Sequence, residues 1–92
     1  MPLFVMTGLD KPDALEIRKA TRPAHLDWID ALGDRVKLAG PFIDESGSPV
    51  GSMIMIDADD IENARSLFAE DPYTLAGLWA DQTIRPFTQV RP

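Results

Sequence analysis

The chain has 92 residues, of which 45% are hydrophobic and 26% are charged, and this balance is ordinary for one small globular domain spanning residues 1–92. A formal net charge of −6, with no more than two basic residues adjacent, argues against binding to nucleic acid or to an anionic membrane surface. No apolar run approaches the roughly 20 residues of a membrane span, the first residues lack the pattern of a signal peptide, and the absence of cysteine excludes disulfides and fits a cytoplasmic protein.

The first half of the chain predicts a strand followed by a long helix. Residues 3–8 form an apolar run whose two alternating sets are both hydrophobic, which indicates a strand buried on both faces. Helical spacing then runs from Ala14 to about Leu32, and Gly33 is the stop signal. Asp13 is suited to cap this helix because Glu16, three residues on, completes a capping box.

Pro23 interrupts this helical pattern. An interior proline removes one backbone hydrogen bond and clashes with the preceding turn, at a cost of about 3 kcal/mol. Thr21 is itself a good N-terminal cap. The sequence is therefore consistent with one kinked helix or with two helices that meet at 21–23.

The second half predicts a strand hairpin, a helix and a last strand. In chain order these are a strand over 36–43 with a bulge or sheet edge at Gly40-Pro41, a strand over 50–56, a helix from Asp60 to about Glu70 and a strand over 78–90. Asp59 and Glu62 are expected to form the capping box of the helix. Asp71-Pro72-Tyr73 is predicted to end it in a tight turn, followed by a turn or 3₁₀ segment over 74–77.

The resulting βαββαβ order predicts an α+β protein of the ferredoxin-like class. Right-handed crossovers place both helices on one face of a single antiparallel sheet. Strands one and three are nevertheless apolar on both faces. We therefore expect the second face to be covered by the sheet of another subunit in a two-fold homodimer, rather than exposed in a monomer.

His25 is the only histidine, and because the chain has no cysteine it is the only side chain whose unperturbed pKa lies near neutrality. At about 100° per residue, one narrow sector of the first helix carries Arg18, Arg22, His25 and Ile29. If the helix were split at Pro23, Arg22 would stay close to His25 while Arg18 would point elsewhere. A titratable ring beside two guanidinium groups is the best site candidate in the chain.

Several short segments, in this order and covering nearly the full length, resemble the YciI-like family of small dimeric α+β-barrel proteins. They are Arg22-Pro23-Ala24-His25-Leu26, Ala39-Gly40-Pro41, Gly51-Ser52, Asp71-Pro72-Tyr73 with Gly77 after it, and Ile84-Arg85-Pro86-Phe87. The resemblance implies a βαββαβ subunit, a dimer, a pocket in each subunit and a candidate pair formed by His25 and Asp71. Some family members look like enzymes acting on small cyclic or aromatic compounds, including a dehydrochlorinase-type reaction.

The pair can be interpreted in two ways. In a site, Asp71 would hold one imidazole nitrogen of His25, fix its tautomer and raise the basicity of the other nitrogen. Alternatively, His25 is partly buried and satisfied by backbone groups, while Asp71 only starts the Asp-Pro turn. The residues alone favour the second interpretation, and the resemblance favours the first.

Four further residues are candidates for substrate binding. Arg18 and Arg22 offer planar forks of donors to a carboxylate or phenolate, although pairing with carboxylates on the solvent face is the simpler expectation for Arg18. Ser52 is expected to be a polar pocket wall rather than a nucleophile, because it lies on a strand and no G-x-S-x-G motif is present. Tyr73 can stack on an aromatic ligand or fill the core.

Glu16 and Asp27 are the carboxylates with which Arg18 and Arg22 could pair on the solvent face, and Trp28 beside the candidate stripe is expected to belong to the core. One histidine and no cysteine make a transition-metal site improbable. No phosphate-binding loop or dinucleotide fingerprint is present, so no cofactor is expected.

The sequence thus supports two hypotheses about function. The first is a small cytoplasmic, cofactor-independent enzyme whose histidine moves a proton in an elimination, an isomerisation or a proton abstraction next to a carbonyl. The second is a non-catalytic dimeric module that binds a small ligand or serves assembly. A ferredoxin-like RNA binder is disfavoured by the negative charge and by the lack of aromatic and basic residues in a sheet pattern.

Overall fold

The computed structural model describes residues 2–92. Its elements are β1 (Leu3–Asp10), α1 (Leu15–Leu32), a 3₁₀ turn (Gly33–Arg35), β2 (Val36–Ile43), β3 (Pro49–Asp57), α2 (Ile61–Ala69), α3 (Pro72–Leu75) and β4 (Trp79–Phe87). The strands form one sheet in the order β2-β3-β1-β4, and all three neighbouring pairs are antiparallel. This arrangement confirms the α+β, ferredoxin-like prediction.

The core lies between the helices and one face of the sheet. Strands β1 and β3 are central, and every second side chain along them is turned toward the helices. The fully or nearly fully buried core side chains are Phe4, Met6, Ile54, Ile56, Ala58, Ala64 and Phe68. Trp28 and Ile29 of α1 pack against this cluster, so the expectation that Trp28 belongs to the core is confirmed.

The opposite face of the sheet is apolar but not covered within the subunit. Leu3 and Val5, which alternate with the buried residues of β1, are only partly buried. Two side chains of the edge strand β2, Leu38 and Phe42, are 52% and 36% exposed. Apolar groups on both faces are therefore confirmed for the central strands, while a dimer remains a prediction.

Helix α1 is one helix that continues through Pro23, which decides between the two arrangements left open by the sequence. The predicted cap is wrong. Ala14 occupies the N-terminal cap position and no side chain caps the helix. The reason is the conformation of Asp13, whose φ of +58° is left-handed and ends the turn after Pro12. The side chain of Asp13 therefore stands outside the helix. The stop at Gly33 is correct, since its backbone N–H bonds to Asp30.

Helix α2 is capped one residue later than predicted. Asp60 Oδ1 accepts from the backbone N–H of Asn63 at 2.8 Å, and Asn63 Oδ1 accepts from the N–H of Asp59 at 3.3 Å. This is a variant of the capping box, because the returning hydrogen bond comes from the N–H of Asp59, the residue before the cap, and not from that of the cap Asp60. Its second member is Asn63 rather than Glu62, because the backbone becomes helical only from Ile61.

The C-terminal part differs from the prediction at two points. Residues 72–75 form the short helix α3, because Pro72 suits the first helical position and Asp71 caps it. The last strand ends at Phe87 rather than at Val90. Within residues 2–92 its only neighbour in the sheet is β1, which begins at Leu3 opposite Phe87, so among the described residues no strand is left for those beyond 87 to pair with. Strand β2 is an edge strand, as Gly40-Pro41 indicated, and its register shifts lie elsewhere.

Candidate functional site

His25 and Asp71 are in direct contact. His25 Nδ1 lies 2.7 Å from Asp71 Oδ1, and the two residues are only 7% and 0% exposed. A carboxylate accepts hydrogen bonds, so Nδ1 carries the hydrogen in this contact, and in a neutral ring Nε2 is then left with the lone pair. The pairing that the family resemblance implied is therefore present as geometry.

The segment that joins α2 to α3 positions Asp71. Asp71 Oδ1 also accepts from the backbone N–H of Tyr73 at 3.0 Å, which makes Asp71 the cap of α3. The other carboxylate oxygen, Oδ2, is buried and accepts no hydrogen bond from residues 2–92. Oδ1 therefore accepts both hydrogen bonds of the carboxylate, one from the short helix α3 that Asp71 caps and one from the imidazole.

The ring of Tyr73 packs against His25. The two ring centroids are 4.0 Å apart with an interplanar angle of 19°, which is a stacked arrangement. The guanidinium carbon of Arg18 lies 4.8 Å from the centroid of the same ring. Burial raises the pKa of the Tyr73 hydroxyl, and the nearby charges of Arg18 and Arg22 only partly offset this effect.

Arg18 is buried and paired, which corrects the expectation that it lies on the solvent face near Glu16 or Asp27. Its Nε and Nη2 donate to the two carboxylate oxygens of Asp10 at 2.7 and 2.9 Å, and Nη2 also donates to Ser52 Oγ at 3.0 Å. Burial lowers the pKa of Arg18, but the hydrogen bond and charge of Asp10, with smaller contributions from Tyr73, outweigh this effect and raise the pKa above its ordinary value.

A pocket of about 570 Å³ lies between α1, the β2–β3 hairpin and β3, a volume typical of small-molecule sites. Its polar walls come mostly from the stripe of α1 that the helical spacing predicted. The predicted candidates on the wall are Arg18, Arg22, His25, Ile29, Ser52 and Tyr73. No carboxylate lines the pocket, whereas three cationic side chains do, although the chain as a whole carries −6.

The β2–β3 hairpin closes one side of the pocket through residues 47–49. Asp44 shapes this loop, because its Oδ1 accepts from the backbone N–H groups of Ser46 and Ser48 at 2.9 and 3.0 Å. These hydrogen bonds lower the pKa of Asp44, and the hydrogen bond from the Ser46 hydroxyl has the strongest influence. The sequence did not indicate that this loop belongs to the pocket.

Asp10 and Lys19 were also missed. The position of Asp10 could have been predicted from the sequence. Asp10 shares the alternation of Phe4, Met6 and Gly8 and therefore lies on the helix-facing side of β1. Lys19 lines the pocket next to the predicted stripe.

In the described part of the chain, no three metal-ligating side chains cluster, and no helix is long and apolar enough to cross a membrane.

A family model described as the YCII-related domain matches residues 2–88. Protein YciI from Escherichia coli O6:H1 is 34% identical over 96 residues, which cover 96% of this chain and 98% of that protein. This chain belongs to the YCII family. An uncharacterized family relative from Haemophilus influenzae is 34% identical over 95 residues, covering 95% of this chain and 97% of the relative.

Solved structures extend the comparison. The 5-chloro-2-hydroxyhydroquinone dehydrochlorinase TftG from Burkholderia phenoliruptrix, in complex with 2,5-dihydroxybenzoquinone, superposes with a TM-score of 0.86 at 25% identity, covering 94% of this chain and 93% of that chain. An antibiotic biosynthesis monooxygenase has a TM-score of 0.61 at 14% identity, covering 99% and 100%. The second likeness shows a shared fold alone.

Proposed function

We propose that this YCII-family protein is a cofactor-independent enzyme that acts on a small anionic, aromatic or cyclic compound. The observation that carries the proposal is the 2.7 Å contact between His25 Nδ1 and Asp71 Oδ1 at the wall of a pocket without carboxylates. The likeness to a dehydrochlorinase of cyclic compounds supports it. The reaction classes that fit are elimination, isomerisation and proton abstraction next to a carbonyl.

In the proposed reaction, His25 Nε2 takes a proton from a carbon of the substrate. The electron pair of the broken C–H bond forms a new C=C bond, and in an elimination it expels a leaving group such as chloride from the neighbouring carbon. For a chlorinated hydroquinone this step takes place in the diketo tautomer, in which the chlorine-bearing carbon and its neighbour are saturated, and the products are the quinone, chloride and a proton. The proton passes from Nε2 to solvent. Asp71 does not take up the proton. It keeps the ring oriented and stabilises the imidazolium that forms.

The remaining candidates bind the substrate in this proposal. Arg22 lines the pocket, is exposed and makes no ion pair with the residues that the structure describes, so its charge is free to neutralise an anionic substrate. Arg18, Ser52 and Tyr73 form the wall beside His25. The face of Tyr73 is stacked on His25, so a ring that enters the pocket can meet only the edge of Tyr73, together with donors from the arginines.

Turnover by two variants tests the proposal. With 5-chloro-2-hydroxyhydroquinone as the first compound of a panel, chloride release is measured for the wild type, His25→Ala and Asp71→Asn. Loss of a positioned base is expected to slow turnover about 10²- to 10⁴-fold. Asp30→Asn, an exposed change on the same helix as His25, is the matched control and should turn over at the wild-type rate. Equal rates for all four proteins would remove both residues from the mechanism.

A protein that binds members of the panel without converting any of them would instead be a ligand-binding module. This second function would use the same pocket and would need no proton transfer. Calorimetry on the same panel distinguishes it from the enzyme, because binding is then retained in a protein that releases no product.

We also propose that the protein is a homodimer. The support is the apolar face of the sheet turned away from the helices, where Leu38, Phe42 and Phe87 are 52%, 36% and 43% exposed. A monomer of 92 residues that left this face in water would forgo much of its available hydrophobic stabilisation. Face-to-face packing of two such sheets buries the same patch on both subunits.

A further inference from the structure

We propose that Arg18 and Ser52 form a two-donor oxyanion site for an enolate or phenolate oxygen of the substrate, and that Asp10 builds this site by positioning Arg18. The inference rests on the proposed proton abstraction by His25. It assigns to Asp10 a role that neither the sequence patterns nor the His25–Asp71 pair suggested.

The direction of one hydrogen bond is the first step. Arg18 Nη2 is a donor only, so at 3.0 Å it makes Ser52 Oγ the acceptor. The hydroxyl hydrogen of Ser52 is then free to point elsewhere, and no acceptor within residues 2–92 takes it. Ser52 is 4% exposed and lines the pocket. Its O–H is therefore available as a donor to a bound ligand.

The second donor is the remaining nitrogen of Arg18. Nε and Nη2 are occupied by Asp10 and Ser52, whereas Nη1 makes no well-aligned hydrogen bond to a described side chain. The Tyr73 hydroxyl lies close enough to the guanidinium to contribute to the raised pKa of Arg18, so a ligand oxygen at Nη1 would compete with this hydroxyl. Arg18 also lines the pocket. A guanidinium is planar, so fixing two of its nitrogens fixes the direction of the third.

Asp10 and two aromatic rings hold this guanidinium still. Asp10 binds it with both oxygens, and the side chains of this ion pair are only 6% and 8% exposed. The rings of Tyr73 and Trp79 lie 4.8 and 5.8 Å from the guanidinium carbon. Donors that are already oriented need not reorganise as charge develops, which is the property that stabilises an oxyanion.

The site lies at the same end of the pocket as the base. The ring of Tyr73 contacts the imidazole of His25 and the guanidinium of Arg18, at centroid distances of 4.0 and 4.8 Å. When Nε2 removes a proton next to a carbonyl, the electrons of the C–H bond form a C=C bond and the carbonyl oxygen takes the negative charge. Donors beside the base are placed to receive that charge.

The probe for the test is 2,5-dihydroxybenzoquinone, a ring whose hydroxyl groups ionise and whose visible absorbance changes when they do. The affinity and the pH of the bound quinone's absorbance transition are measured for the wild type, Ser52→Ala, Arg18→Gln, Asp10→Asn and His25→Ala. Ser66→Ala and Arg65→Gln, which change exposed residues of α2, are the matched controls. Circular dichroism establishes that each variant is folded, and Ser52→Ala keeps the test decisive if Arg18→Gln unfolds.

In the wild type and in His25→Ala, the transition of the bound quinone should move to lower pH than that of the free quinone, because the oxyanion donors remain. Ser52→Ala should lose about tenfold in affinity, as expected for one hydrogen bond to a charged group. Asp10→Asn should reverse part of the shift, although Asp10 does not line the main pocket. The inference would be overturned if Ser52→Ala and Asp10→Asn both kept the wild-type affinity and the wild-type pH of the absorbance transition. It would also be overturned if the wild-type protein did not bind the quinone. Failure of the proposed function appears separately, as chloride release that His25→Ala leaves unchanged.

Discussion

At the residue scale, the site depends on one carboxylate that is wholly buried. Asp71 is 0% exposed, and its Oδ1 accepts hydrogen bonds from both the imidazole of His25 and the backbone N–H of Tyr73. An isolated buried charge costs several kcal/mol, so such groups persist where they are paired and hydrogen-bonded. The placement of Asp71 at the cap of α3 gives the carboxylate a second partner besides His25. The short helix therefore belongs to the site as much as to the fold.

Tyr73 makes the electrostatics of this region measurable, since it is the only tyrosine in the chain. Burial raises the pKa of its hydroxyl above the ordinary value of about 10. Ultraviolet absorbance during an alkaline titration should therefore show tyrosinate forming only above that pH. A transition at or below the ordinary value would contradict the burial of this side chain.

The same shift fixes the sign of a stability change. A folded state that holds this proton more tightly than the unfolded state has its full stability below the unfolded pKa, and loses stability as pH rises through the folded pKa. The free energy of unfolding of the wild type should therefore fall above about pH 10. Tyr73→Phe has no such group, so the difference between the two proteins should change in this range and be constant below it.

At the scale of elements, helix α1 carries the site because one face of the helix remains continuous through Pro23. Arg18, Arg22, His25 and Ile29 were aligned from helical spacing, and all four line the pocket. The caps were less predictable. Asp13 satisfies the sequence rule for a cap, but its left-handed backbone removes it from the helix. A rule based on the spacing of residue types does not specify the backbone φ angle of the turn that precedes the helix.

The end of α1 offers a test of backbone conformation. Gly33 has a φ of +57° and a ψ of −127°, a combination that side chains with a Cβ rarely adopt. Gly33→Ala is expected to lower the free energy of unfolding by about 1–3 kcal/mol. Gly40→Ala is the matched control, because its φ is not left-handed and a Cβ there would meet nothing within 4 Å. Equal denaturation midpoints for the two variants would contradict the assigned conformation.

At the scale of the whole molecule, the alternation and helical patterns predicted the order of elements, the sheet and most element bounds. The partner of Arg18 was not predictable in the same way. Spacing on the helix indicated Glu16 and Asp27, whereas the side chain reaches Asp10 at the end of a neighbouring strand. That contact depends on how the strand and the helix meet, which local spacing does not describe. Residues 47–49 enter the pocket for the same reason.

The proposed dimer is tested by a charge on the open sheet face. Light scattering should give the wild type twice the chain mass of 10.2 kDa. Leu38→Lys places like charges on facing subunits and should give the mass of one chain, because burying an unpaired ammonium group is unfavourable. Leu75→Lys, a change at a 74% exposed residue of α3, should leave the mass doubled. A wild-type protein of single-chain mass would refute the dimer.

The most direct test of the chemistry needs no ligand. Because His25 is the only histidine, NMR of the nitrogen-labelled imidazole gives the state of one ring without assignment by mutation. At a pH where the ring is neutral, we expect hydrogen on Nδ1 and a lone pair on Nε2, since Asp71 accepts from Nδ1. Asp71→Asn should weaken this preference. A wild-type ring with hydrogen on Nε2 would present no base to the pocket and would contradict the proposed role of the pair.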